Sequence, residues 1–218
     1  MLATGCGGGG GADGEPDRKT AGKPATASAT ASDPAAAPRP DPAVKVRQIG
    51  GKGGICALPF AFDVAADWKA TPVKVAKGNE LAEAFGMQGE AAILCELDAR
   101  PSGNTGFIRF WEPVANGFAN QTPNTASARD ALDDFVADSG LEKLAKVKYR
   151  EVKAGSQQAV EVSYEGYDDF WEETEKERHL AVVTPDGIIV IEVGAQDDTD
   201  HDALLPEYER IKETLRTP

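Results

Sequence analysis

The sequence is poor in the side chains that most catalytic and metal chemistry relies on. Two histidines, three cysteines and two methionines are spread over 218 residues. With no C-x-x-C pair and so few histidines, nothing in it matches zinc-ligand spacing. No G-x-S-x-G nucleophile turn is present. The glycine runs at 7–11 and 50–54 open no Lys-bearing helix of the kind that cradles phosphate. Cations are outnumbered, 23 Lys and Arg against 36 Asp and Glu, for a net charge of -13. Nucleic-acid binding through counterion release needs clustered Lys and Arg, so that class is excluded. No run of about 18 apolar residues exists, which excludes an internal transmembrane helix.

What is there falls into two different polymers. Residues 1–54 carry 7 basic and 5 acidic residues and no Trp, Tyr or Phe. Such a segment cannot bury enough apolar surface to offset its ordering entropy. Residues 55–218 carry 16 basic and 31 acidic residues and every aromatic ring of the chain. Their length is enough for one sizeable core. Within the first, Pro recurs among small residues from 21 to 42, the composition of a solvated, semi-extended spacer.

The chain opens Met1-Leu2-Ala3-Thr4-Gly5-Cys6, then five glycines. A small residue directly before Cys, with Leu and Ala upstream, resembles the lipobox of bacterial lipoproteins. The resemblance implies that Cys6 is lipidated after cleavage of a signal peptide, with a tether following. Only five residues precede Cys6, so a misplaced start codon or an upstream truncation is expected. This assigns 1–6 to the remnant of a signal peptide, 7–54 to a disordered Gly/Ala/Pro-rich tether, and 55–218 to a single domain. The Ala, Gly, Pro and Asp bias resembles that of high-GC, actinobacterial proteins. An exported domain sits where disulfides persist. With Cys6 given to lipid, Cys56 and Cys95 have one possible intramolecular pairing, and a disulfide is expected rather than two buried thiols.

Patterning predicts a strand over 58–64 running to a turn at Trp68. A short helix over 79–85 follows, with Leu81 and Phe85 on one face. Strands are expected at 91–97 and 105–111 around a Pro/Gly turn. A long helix capped at Thr125 carries the stripe Ala128, Leu132, Phe135 and Val136. Strands at 147–152, 159–164, 179–183 and 188–193 come next. A last helix has Leu204, Leu205, Tyr208, Ile211 and Leu215 on one face and Pro206 in its first turn. Helices set apart from an antiparallel sheet define an α+β class. The opening F-x-F-D-V…D-W (Phe60 to Trp68), the central helix, the run T-P-D-G-I-I-V-I-E-V and the final helix resemble the PsbP-like α/β/α sandwich. That group includes the LpqN-type lipoproteins of mycobacteria. The resemblance implies a non-enzymatic binding or assembly module of the cell envelope, held at the membrane, with no cofactor and an envelope protein or ligand as partner.

Three groups of residues invite a chemical reading. Residues 164–177 hold seven acids in 14 positions together with Tyr167, Phe170 and Trp171. Tyr167, Asp168, Asp169, Trp171, Glu172 and Glu173 form the candidate interaction surface, facing a cationic partner. The competing readings are a hairpin end whose rings pack back on the core, and a carbohydrate hydrolase using the acids near 165–173. Asp198, Asp200 and Asp202, with Glu209, match EF-hand spacing, but the position that needs Gly is Ala203. A calcium-stabilised module is therefore weaker than an acidic cap on the last helix. His179 reads as a sheet-surface residue, and His201 as a solvated neighbour of that cap.

With an upstream signal peptide restored, the chain should partition into detergent, and Cys6→Ala should leave it in the aqueous phase. More than one acyl chain is needed for stable anchoring. Equal partitioning of the two would refute lipidation at Cys6.

Overall fold

The computed structural model describes residues 39–76, 78–113 and 124–217. Val46–Gly50 (β1) and Ala61–Ala65 (β2) form an antiparallel ribbon. Eight further strands form one antiparallel sheet: Lys69–Pro72 (β3), Met87–Gln88 (β4), Ala91–Asp98 (β5), Phe107–Pro113 (β6), Glu142–Ala154 (β7), Gln157–Asp168 (β8), Glu173–Thr184 (β9) and Gly187–Gly194 (β10). Their order is β3-β5-β6-β10-β9-β8-β7, with β4 also paired to β5. Among the described residues the α-helices are Glu80–Gly86 (α1), Thr125–Ala137 (α2) and Asp198–Thr214 (α3).

The sheet is covered on both faces, which gives the expected α/β/α sandwich. Successive side chains of a strand point to opposite faces. In β10, Ile188 and Val190 pack beneath α2, whereas Ile189, Ile191 and Val193 pack beneath α3 and the β1–β2 ribbon. This two-sided burial is why residues 188–193 read as an almost unbroken apolar run. The stripe Ala128, Leu132, Phe135 and Val136 is buried as predicted. The cap of α2 is Asn124 rather than Thr125. Its Oδ1 accepts the Ala126 and Ser127 N–H groups at 2.8 and 3.0 Å, and the Ser127 hydroxyl accepts the Asn124 N–H at 2.9 Å.

Helix α3 starts earlier than its apolar stripe indicates. Asp197 Oδ1 accepts the Thr199 and Asp200 N–H groups, each at 2.8 Å, so the acidic run is the cap and first turn. Pro206 consequently lies inside the helix rather than in its first turn. Leu204, Leu205, Tyr208 and Ile211 are all buried. Polar contacts fix the docking. Glu161 of β8, 1 % exposed, accepts the Tyr208 hydroxyl at 2.8 Å and Lys212 Nζ at 3.2 Å, and also pairs with Arg150 of β7. Burial works to raise the Glu161 pKa, but Lys212, Arg150 and Tyr208 together hold it below the ordinary value. At the ribbon, Glu207 accepts the Ala65 N–H at 2.7 Å and pairs with Arg210 at 3.1 Å.

Other sequence expectations change as well. Residues 46–50, assigned to the tether, form β1, and Ile49 is fully buried. The strand is invisible locally because its partner β2 lies beyond a glycine-rich loop and supplies the pairing. The first expected strand starts at Ala61 and joins this ribbon, not the main sheet. Leu81 and Phe85 share a face of α1 but are 69% and 77% exposed. Gly50 makes the ribbon turn possible: its φ is +79°, and a Cβ there would strike the Phe60 carbonyl.

The two sheet edges differ. Strand β3 is short and ends in Pro72. Strand β7 is 13 residues long and mostly exposed, and it carries Lys143, Lys146, Lys148, Arg150 and Lys153. Its pairing to β8 shifts register between Glu142 and Ala145 and again between Ala145 and Lys148. Lys143 and Lys146 sit at those shifts with φ of 50° and 54°.

The Cys56–Cys95 disulfide is present, with 5.6 Å between Cα atoms and a sequence separation of 39. It ties the segment before β2 to the central part of β5. Loop-closure entropy puts its contribution at about 3–4 kcal/mol. Replacing both cysteines by Ser should lower the unfolding free energy by about that amount in urea titration. A loss below about 1 kcal/mol would show that the bridge closes a loop already held by packing.

Candidate functional site

The β8–β9 hairpin brings the predicted interaction residues together at one end of the sheet. Its strands stay paired out to Asp168 and Glu173. The four-residue connection is held by Asp168, whose Oδ1 accepts the Phe170 and Trp171 N–H groups at 2.7 and 2.9 Å. Glu172 completes the reversal with φ of 58°. Phe170 and Trp171 meet edge to face, with ring centroids 4.8 Å apart, and are 81% and 66% exposed. The rings therefore do not pack back on the core. Asp169, Glu172 and Glu173 surround them and are exposed. Tyr167 sits one step back, half-buried beneath Lys143 Nζ at 3.9 Å from its ring centroid.

Nearby cations are already engaged. Lys146 pairs with Glu165 at 2.6 Å, and Lys176 bridges Asp198 and Asp202 at 3.3 and 3.2 Å. An ammonium thus lies between two of the four carboxylates that match EF-hand spacing. Asp200 belongs to the first turn of α3. Among the described residues no group of three or more His, Cys, Asp or Glu is placed to hold a metal ion.

A second polar array lies on the α2 face, and sequence patterning missed it. Glu96, Arg109, Glu192 and His179 stand in register on β5, β6, β10 and β9. Arg109 Nε donates to Glu96 at 2.9 Å and its guanidinium lies 3.5 Å over the Phe107 ring. Trp111 Nε1 donates to Glu192 at 2.7 Å. His179 is buried, not on the sheet surface. Its Nε2 lies 2.9 Å from the Tyr164 hydroxyl and 3.6 Å from Glu177 Oε2, and its ring meets Phe135 edge-on at 5.2 Å. Burial lowers the His179 pKa to about 3, so the contact with Glu177 is not an ion pair. Burial, with Glu192 and Glu175 nearby, raises Glu177 well above its ordinary value, and burial raises Glu192 too. His201 is also buried, 3.3 Å from Asp202, and burial lowers its pKa. The available signal was two-residue spacing from Ala181 for His179 on its strand, and spacing of three, four and seven from Leu204, Leu205 and Tyr208 for His201 on its helix.

At the opposite end of the sheet a cleft of about 810 Å³ opens between the glycine-rich loop at 51–53, residues 57–59 and the β9–β10 turn. Leu58, Leu94, Ile188 and Ile189 form its apolar wall, and Lys52, Glu112 and Asp186 its charged rim. None of the acids between 165 and 173, on which the hydrolase reading depends, lines this cleft. Cys6 lies outside the described residues.

The half-buried acids Glu177 and Glu192 and the buried His179 act in opposite senses on stability. Glu177 and Glu192 have raised folded pKa values, so their contribution is complete below the ordinary carboxylate pKa and is lost as pH rises through the folded values. His179 has a lowered pKa, so its contribution is present above about 6.5 and is lost as pH falls toward about 3. Glu177→Gln should therefore gain in melting temperature relative to the parent as pH rises from about 5 to about 8. A difference that does not change with pH would show that Glu177 is charged in the fold.

A family model described as "Uncharacterised lipoprotein" matches residues 25–215. No curated protein matches the sequence. Among solved structures, the cyanobacterial PsbP (CyanoP) of Synechocystis is similar at TM-score 0.50 and 8% identity, covering 79% of this chain and 92% of that one. At this identity the likeness shows the PsbP-like fold alone. A Pseudomonas aeruginosa protein of unknown function superimposes at TM-score 0.38 and 10% identity over 72% and 91% of the two chains, too loosely to carry an argument. On the extent of the family match, the chain belongs to this uncharacterised lipoprotein family and has a PsbP-like fold.

Proposed function

We propose that this protein is a non-enzymatic interaction module of the cell envelope, tethered by lipid on Cys6 to the outer face of the cytoplasmic membrane. Membership of a lipoprotein family implies a membrane-anchored, extracytoplasmic setting. No helix among the described residues is long and apolar enough to cross a membrane. Anchorage then falls to acyl chains. The observation that carries the interaction reading is the exposed Phe170–Trp171 pair, two large rings held away from the core on a hairpin whose turn is hydrogen-bonded by Asp168. Large rings at low conformational cost are what protein interfaces concentrate at their energetic centres.

A pull-down from envelope extract with the parent chain should capture a partner that is lost on Phe170→Ser/Trp171→Ser. Neutralising Asp168, Asp169, Glu172 and Glu173 to Asn and Gln should also lose it. Asn at 168 keeps the oxygen that holds the turn. Apart from half-buried Asp168, whose turn-holding oxygen is kept, both variants alter exposed groups, so their melting temperatures should stay within about 2 °C of the parent. Unaltered capture would remove the hairpin from the interface, and a collapsed melting temperature would make the segment structural.

A further inference from the structure

We infer that the Phe170–Trp171 pair recognises a guanidinium or ammonium group, so that the partner presents an Arg- or Lys-bearing peptide segment. This rests on the hairpin being the partner-facing surface. The half-buried rings of the sheet supply the first observation. Phe107 lies under Arg109 at 3.5 Å, Tyr149 under Arg129 at 3.3 Å, and Tyr167 under Lys143 at 3.9 Å. Each ring face there is covered by a cation from the chain itself. Among the described residues no Lys or Arg lies over Phe170 or Trp171.

Charge supplies the second observation. Among the described residues Asp169, Glu172 and Glu173 make no ion pair, while the cations nearest in the fold are committed to Glu165, Asp198, Asp202 and Tyr167. Two bare ring faces beside three unpaired carboxylates form a site of negative potential, because an aromatic face is the negative side of its quadrupole. A cation set over such a ring gains from both sources. The guanidinium is flat and weakly hydrated and stacks on rings while its edge meets carboxylates, so Arg should exceed Lys. An anionic lipid surface is the wrong partner, because its negative potential repels these carboxylates.

The test titrates the purified 218-residue chain with fluorescein-labelled peptides alternating Ser with Arg, Lys or Glu, and with phosphatidylcholine vesicles. Trp68 and Trp111 are 3% and 2% exposed, so the red edge of the tryptophan emission reports Trp171. The Arg peptide should bind saturably, shift that emission, weaken with salt and bind more tightly than the Lys peptide. Trp171→Leu should weaken it about tenfold by peptide anisotropy, and Asp169→Asn/Glu172→Gln/Glu173→Gln should do the same while flattening the salt dependence. Binding of Arg and Glu peptides alike, Arg binding unchanged in Trp171→Leu, or an emission shift with vesicles alone would overturn the inference. Excess Arg peptide should also release the partner captured from envelope extract. Trp171-dependent capture that the peptide cannot release would refute cation recognition and leave the interaction module standing. Peptide binding without any captured partner would support cation recognition and count against the module.

Discussion

The sandwich depends on one buried carboxylate. Glu161 projects from the middle of β8 toward α3 and carries a charge that the interior would expel if it stood alone. Tyr208 and Lys212, one helical turn apart, meet it from above, and Arg150 meets it from the neighbouring strand. Apolar packing between α3 and the sheet is non-directional, so it permits the helix to slide or rotate by a residue. The carboxylate does not, because every displaced arrangement leaves a buried charge without partners. Glu207 repeats the device at the ribbon, where it holds the Ala65 N–H. The layer order is thus a hydrophobic result, and the alignment of the helix within its layer is an electrostatic one.

The two faces of the sheet use polar groups differently. Toward α3 the acids are paired with cations, whereas toward α2 only Glu96 of the array is, through Arg109. Toward α2 Glu177 meets a neutral histidine and its pKa is raised by burial, which makes that face cheap to bury at mildly acidic pH and dearer at alkaline pH. The β8–β9 hairpin belongs to both faces at once. Its base runs through these groups and its far end carries bare rings, so the presented surface is continuous in backbone pairing with the core beneath it.

Much of this was legible from periodicity. The stripe from Ala128 to Val136 and the run from Ile188 to Val193 have the spacing that their burial requires. The Cys56–Cys95 bridge was legible by another route, from the two cysteines left over in a domain expected to be exported. What patterning missed has a common cause, which is pairing between distant segments. Strand β1 has too short a signal to stand out from glycines and exists because β2 accepts it. His179 looks wet in a charged stretch, yet its neighbours across the sheet are Glu192 and Val162 and its ceiling is Phe135. At the hairpin, composition located the surface, but only coordinates separate Tyr167, already covered by a lysine, from Phe170 and Trp171, which are not.

Strand β7 has a bearing on life at a membrane. Molecules confined to a plane with common orientation collide edge against edge far more often than molecules in bulk solution, and a long open strand is a template for unwanted pairing. Two register shifts, lysines in left-handed backbone and a row of like charges break up the hydrogen-bonding line of this edge. The opposite edge is only four residues long and ends in proline. At a membrane surface those breaks would keep neighbouring sheets from pairing edge to edge into a growing ribbon.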